Sequence, residues 1–150
     1  PMGAVAVSER IHDTIFAAAA EGAIELFHGY TYSGHPAACA AGLATLDIYR
    51  DEGLFERGAA LSPYFLDAMF SLRDAGPVAD IRGYGMLAAI EVHPDGVPGK
   101  RGHAFQKKLF DNGLHLKATG DAAIVAPPLV AERSHVDAMV DILRRTLKSL

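Results

Sequence analysis

The sequence is short of several features, and each shortage narrows what the chain can be. It holds one cysteine, Cys39, so no internal disulfide can form and a reducing cytoplasm is the default expectation. Its apolar runs, such as residues 37–41 and 122–130, fall far below the ~20 residues a helix needs to cross a bilayer, and the second carries Pro127 and Pro128. The net charge of −4 is spread without a block of one sign, which leaves no electrostatic footprint for nucleic acid or a membrane surface. The 7 histidines include no His-x-x-x-His pair, and a lone cysteine cannot make Cys-x-x-Cys, so no metal site is expected. Arg82-Gly83-Tyr84-Gly85 lacks the G-x-G-x-x-G spacing of a dinucleotide fingerprint. There is no internal repeat and no low-complexity tract.

What is present suits a globular protein, with half of the residues apolar and 21% charged. A chain of 150 residues buries about 68–70% of the surface exposed when unfolded, enough for one real core. The opening Pro1-Met2-Gly3-Ala4-Val5-Ala6-Val7 has no basic n-region for a signal peptide. Residues 3–7 instead read as a strand buried in a parallel sheet, whose partners require crossover connections, so Pro1 is expected to be an interior point of a longer protein.

Ser8 is placed to cap a helix running from Glu9 to about Ala20, and residues 24–27 suggest a short extended piece. Pro36 suits the first position of a second helix, with Gly53 as its stop. Leu54, Leu61, Phe65, Leu66, Met69, Phe70 and Leu72 recur at helical spacing, with a kink or break expected at Pro63. Residues 78–81 and 86–92 read as a hairpin turned by residues 82–85. A helix over 103–111 that Gly113 ends, strands over 114–117 and 122–126, and a helix starting at an N-cap Ser134 and running to Ser149 complete the chain. Residues 78–150 thus form a small α+β unit, an antiparallel sheet with helices on one face, whereas residues 1–77 hold one strand and helices without a sheet to lie on.

The stretch 28–36 sets four hydroxyls and several backbone N–H groups directly before a helix N-terminus, where orphan amides and the helix dipole favour an anion. A phosphate group is the natural ligand, although the same residue types also make ordinary turns and caps. Arg133, just before the expected N-cap, faces the positive end of a helix dipole, a placement that an anionic substrate would compensate and that solvent can also tolerate. Cys39 is expected as a small buried helix residue, and His28 and His35 as residues that orient the loop.

The run His28-Gly29-Tyr30-Thr31-Tyr32-Ser33-Gly34-His35-Pro36, followed by Ala37-Ala38-Cys39-Ala40-Ala41, closely resembles the loop–helix junction of the class III, fold-type I pyridoxal-phosphate-dependent aminotransferases. The likeness continues through Pro1-Met2-Gly3-Ala4-Val5, Ile81-Arg82-Gly83-Tyr84-Gly85 and Ala126-Pro127-Pro128-Leu129, and so covers essentially the whole chain. It implies an α/β protein overall, with residues 1–77 the C-terminal end of the large cofactor-binding domain plus interdomain helices, and residues 78–150 the small α+β C-terminal domain. By the resemblance, Tyr30 and Thr31 would reach across a homodimer interface to bind the phosphate of the partner's pyridoxal 5'-phosphate. Arg133 would grip a substrate carboxylate through bidentate pairing.

The implied reaction moves an amino group between an amine or ω-amino acid and a keto acid such as pyruvate. A Schiff base needs a desolvated lysine, and none of Lys100, Lys107, Lys108, Lys117 and Lys148 matches the family's lysine motif. No catalytic residue is therefore expected in this chain, and it is expected to be inactive alone. A threonine–phosphate contact contributes about 1.5–3 kcal/mol, so Thr31 can complete a cofactor site but not create one. Other reactions on the same fold, namely aminomutase, racemase and decarboxylase chemistry, stay open, as does a non-catalytic phosphate-binding or assembly module.

Overall fold

The computed structural model describes residues 3–26, 29 and 31–150. The chain divides into two compact units, Pro1–Asp51 and Glu52–Leu150. The sequence-based expectation draws a boundary after Pro77; here the long helix that precedes Pro77 packs within the second unit.

In the first unit, α1 spans Glu9–Ala17 and α2 spans Pro36–Asp51. Ser8 occupies the α1 N-cap with extended backbone, and its carbonyl, not its hydroxyl, takes the Ile11 and His12 amides. The helix stops three residues before the expected Ala20. Residues 3–7 are not a strand, because no other strand lies among the described residues of this unit to pair their amides and carbonyls. Of the extended piece expected over 24–27, Phe27 lies outside the described residues and the rest is bend and coil. No described residue of this unit is buried, and Leu43, Leu46 and Ile48 on α2 stay exposed.

The second unit is built around a sheet. Its elements are α3 (Leu54–Phe70), β1 (Val78–Tyr84), β2 (Leu87–Val92), α4 (Lys100–Asp111), β3 (Lys117–Thr119), β4 (Ala122–Val125) and α5 (Arg133–Lys148). The sheet order is β1-β2-β4-β3, antiparallel throughout. Strand periodicity sends alternate residues to opposite faces. Ile81, Ala88, Ile90, Val92, Ala123 and Val125 are buried toward the helices, while Arg82, Tyr84 and Leu87 face outward and stay exposed. The expected α+β unit with helices on one face is therefore present.

The core joins that inner face to Phe65 and Met69 of α3, Phe105 and Leu109 of α4, and Val136, Leu143 and Leu147 of α5. The helix α3 runs through Pro63 without a break in its assignment.

The strand expected over 114–117 is found at Lys117–Thr119, with 114–116 in coil, and three further boundaries differ from the expected ones for identifiable reasons. Arg82, Gly83 and Tyr84 belong to β1, and the turn is Gly85-Met86 between the paired Tyr84 and Leu87. Arg82 is held in the strand by Asp80 at 3.0 Å and by cross-strand Glu91 at 2.7 Å. Gly83 lies there because a Cβ would stand 2.6 Å from the Leu66 side chain and 2.9 Å from the Leu87 carbonyl oxygen. Next, α4 begins at Lys100 and not near His103, because Asp121, in the β3–β4 turn, accepts the Gly99 amide at 2.8 Å and the Gly102 amide at 2.9 Å. Lastly, α5 is capped by Glu132, not Ser134. The His135 ring Nδ1 accepts the Glu132 amide at 3.0 Å, which pulls the helix start back by two residues and places Arg133 inside its first turn.

Candidate functional site

In the first unit the stretch before α2 folds as a tight turn over residues 31–34, and Pro36 opens the helix as its fixed φ favours. The His35 amide donates to the Tyr32 carbonyl at 3.3 Å and the Cys39 amide to the His35 carbonyl at 2.9 Å. An open pocket forms at this junction, lined by Gly3, Gly29, Thr31, Ser33, Gly34 and His35 among others. Thr31 and Ser33 are exposed. Side chains are small along the glycine wall, so a tetrahedral anion can approach the backbone N–H groups at the helix start, where the dipole favours it.

Of the residues expected there, Thr31 lines the pocket, and Tyr30 and His28 lie outside the described residues. His35 lines it without a side-chain hydrogen bond among the described residues, so the loop is oriented by backbone bonds at this position. Cys39 is a half-buried free thiol on the pocket wall, less enclosed than expected.

Arg133 belongs to the second unit. It is exposed on the first turn of α5, and its guanidinium carbon lies 4.8 Å from the centroid of the Tyr64 ring on α3. The Tyr64 hydroxyl donates to Asp137 Oδ1 at 2.5 Å. That bond, followed by desolvation and the Asp137 charge, raises the Tyr64 hydroxyl above the ordinary tyrosine range, with Arg133 acting in the opposite sense. Asp137 stands four residues after Arg133 on the same helix face, yet the two form no ion pair within 4.0 Å among the described residues. Sequence reading missed Tyr64 and Asp137 because 73 positions separate them, and the only local hint was the spacing of Arg133 and Asp137.

All five candidate lysines, Lys100, Lys107, Lys108, Lys117 and Lys148, are exposed. None of them lies in a buried setting. The hydroxyls and backbone N–H groups of the first unit suit the phosphate of a phosphorylated cofactor. Among the described residues, no group of three or more His, Cys, Asp or Glu side chains could hold a metal. No helix of the described residues is long and apolar enough to cross a membrane.

The fold, with its four-stranded antiparallel sheet backed by helices, is that of solved fold-type I transaminases. The chain belongs to the class-III aminotransferase family, whose profile, "Aminotransferase class-III", matches residues 1–147. It is 50% identical to an omega-aminotransferase of Caulobacter vibrioides over 98% of this chain and 34% of that protein. A beta-alanine–pyruvate aminotransferase of Pseudomonas aeruginosa is 40% identical over 100% of this chain and 34% of its own length.

Among solved structures, a thermostable (S)-enantioselective omega-transaminase from Thermomicrobium roseum superposes with a TM-score of 0.77 at 32% identity, covering 95% of this chain and 33% of that one. The omega transaminase of Pseudomonas jessenii in complex with PMP gives 0.75 at 31% identity, over 83% of this chain and 29% of that one. The chain thus spans about a third of the length of the curated relatives it matches.

Proposed function

We propose that this chain forms the C-terminal portion of a pyridoxal-phosphate-dependent aminotransferase that moves an amino group between an amine or ω-amino acid and a keto acid such as pyruvate. The observation that carries the reading is the pocket at the start of α2, where Thr31 and Ser33 hydroxyls stand beside a glycine wall, in a sequence that an omega-aminotransferase matches over 98% of its length. Thr31 donates its hydroxyl to the cofactor phosphate; the family resemblance supports a part for Tyr30, which lies outside the described residues, in the same contact, and a site shared across a homodimer. Arg133 pairs with the substrate carboxylate, for which its planar guanidinium is suited. The bound cofactor supplies the electron sink for the amino transfer, and the lysine that holds it is assigned to a part of the protein outside this sequence. The enzyme acts in the cytoplasm.

The test is made on the intact aminotransferase carrying this sequence. Thr31→Val removes one charge-assisted hydrogen bond and is expected to weaken pyridoxal phosphate binding by about 10- to 150-fold, with Thr31→Ser recovering most of it. Unchanged cofactor affinity in Thr31→Val, or the lack of any amine-to-pyruvate transfer by the parent enzyme, refutes the assignment.

A further inference from the structure

Tyr64 touches both charged residues of the first two turns of α5 and does something different to each. Its ring lies under the Arg133 guanidinium at 4.8 Å, and its hydroxyl donates to Asp137 Oδ1 at 2.5 Å. The ring is itself fixed, half-buried and packed against the core beside Phe65. Arg133 and Asp137 are four apart on one helix, a spacing at which opposite charges normally pair. Here they do not: Asp137 is engaged by Tyr64, and Arg133 spends no N–H on a protein acceptor among the described residues.

We propose that Tyr64 is a positioning residue for Arg133, holding the guanidinium by its aromatic face while occupying the neighbouring carboxylate that would otherwise neutralise it. An arginine held this way keeps its N–H donors available for an incoming carboxylate and loses little side-chain entropy on meeting it. Tyr64 touches neither substrate nor cofactor in this role. The proposal rests on the reading of Arg133 as the carboxylate-binding residue, and it adds a reason why that residue is ready to bind.

The experiment compares two amino donors on the intact enzyme, an ω-amino acid and an amine of similar size without a carboxylate. Arg133→Ala is expected to raise KM for the ω-amino acid by at least about 10-fold and to spare the amine. Tyr64→Leu, which removes ring and hydroxyl together, should raise KM for the ω-amino acid by about 2- to 5-fold with kcat and the amine unaffected. It should have no further effect in an Arg133→Ala background. Tyr64→Phe keeps the ring but frees Asp137 to pair with Arg133, so KM rises, and adding Asp137→Asn to Tyr64→Phe restores it.

If Arg133→Ala fails to separate the two donors, the carboxylate reading and this proposal fall together. If it separates them but Tyr64→Leu shifts both donors equally, or acts undiminished without Arg133, only the positioning role is overturned.

Discussion

Thr146 accepts the side-chain amide of Asn112 at 3.0 Å while its own hydroxyl donates to the Ile142 carbonyl at 2.8 Å, tying α5 to the end of α4. It is the one fully buried polar side chain among the described residues, with 0% exposure. Thr146→Val keeps the shape and deletes the hydroxyl, while the exposed Asn112 can turn to water. The expected loss is about 0.5–1.5 kcal/mol, read as a lower denaturant midpoint with an unchanged slope.

Phe65 on α3 has 0% exposure and belongs to the same core as the sheet. Phe65→Ala should cost about 3–5 kcal/mol. A piece covering residues 52–150 is accordingly expected to fold cooperatively, whereas one covering 78–150 lacks Phe65, Met69 and Leu72 and should show a broad or absent unfolding transition by circular dichroism. Equal stability of the two pieces would contradict the packing described above.

Asp121 is held below the ordinary aspartate range, first by the Gly99 amide and then by the Gly102 amide. A carboxyl with a depressed folded pKa stabilises the fold fully above its unfolded value, about 3.9, and that contribution disappears as pH falls through the lower folded value. Asp121→Asn keeps one acceptor and removes the charge. Thermal unfolding should then show a lower Tm at neutral pH, and a smaller drop in Tm between pH 5 and pH 3 than the unmodified chain shows.

Gly102 approaches the Gly120–Asp121 backbone so closely that a Cβ would overlap the Gly120 carbonyl oxygen. Both obstacles are main chain, which cannot rotate away. Gly102→Ala is expected to cost about 1–3 kcal/mol or more, seen as a reduced Tm, whereas alanine at exposed Gly29, where nothing lies within 4 Å, should leave the Tm unchanged.

All the lysines are exposed, so mixing the isolated chain with pyridoxal phosphate and borohydride should give only scattered, substoichiometric labelling by peptide mass mapping. A single lysine labelled to one equivalent would mean that a covalent cofactor site exists within this sequence.

Much of the second unit was legible because its signals are local. The apolar run 86–92 beside the glycines at 83 and 85 and the helix from about Ser134 to Ser149 are signalled within their own segments, and each element formed. Most of what could not be read depends on distant partners. The start of α4 is fixed by Asp121, some twenty positions later, whereas the start of α5 turns on a local choice, the His135 ring accepting the Glu132 amide three residues before it where Ser134 is the more usual type of cap. Residues 3–7 carry a strand's composition, but backbone pairing is a property of two segments and their partner is not among the described residues. For the site, the hydroxyl and glycine pattern before Pro36 was visible as a loop, whereas the Tyr64 platform under Arg133 arises only when α3 and α5 meet.

The double acceptance by Asp121 also acts as a proofreading device for the sheet. Asp121 immediately precedes the strand that pairs Ala123 with Ile90 and Val125 with Ala88, and its carbonyl takes the Val92 amide at 3.0 Å. Sliding β4 by one residue would turn Ala122 and Ile124 inward and, in the same movement, carry the carboxylate away from the amides of α4. Misregistered pairing is thus penalised twice, once in the core and once at a helix end on the far side of the turn, so the hairpin and α4 are expected to become protected from hydrogen exchange together.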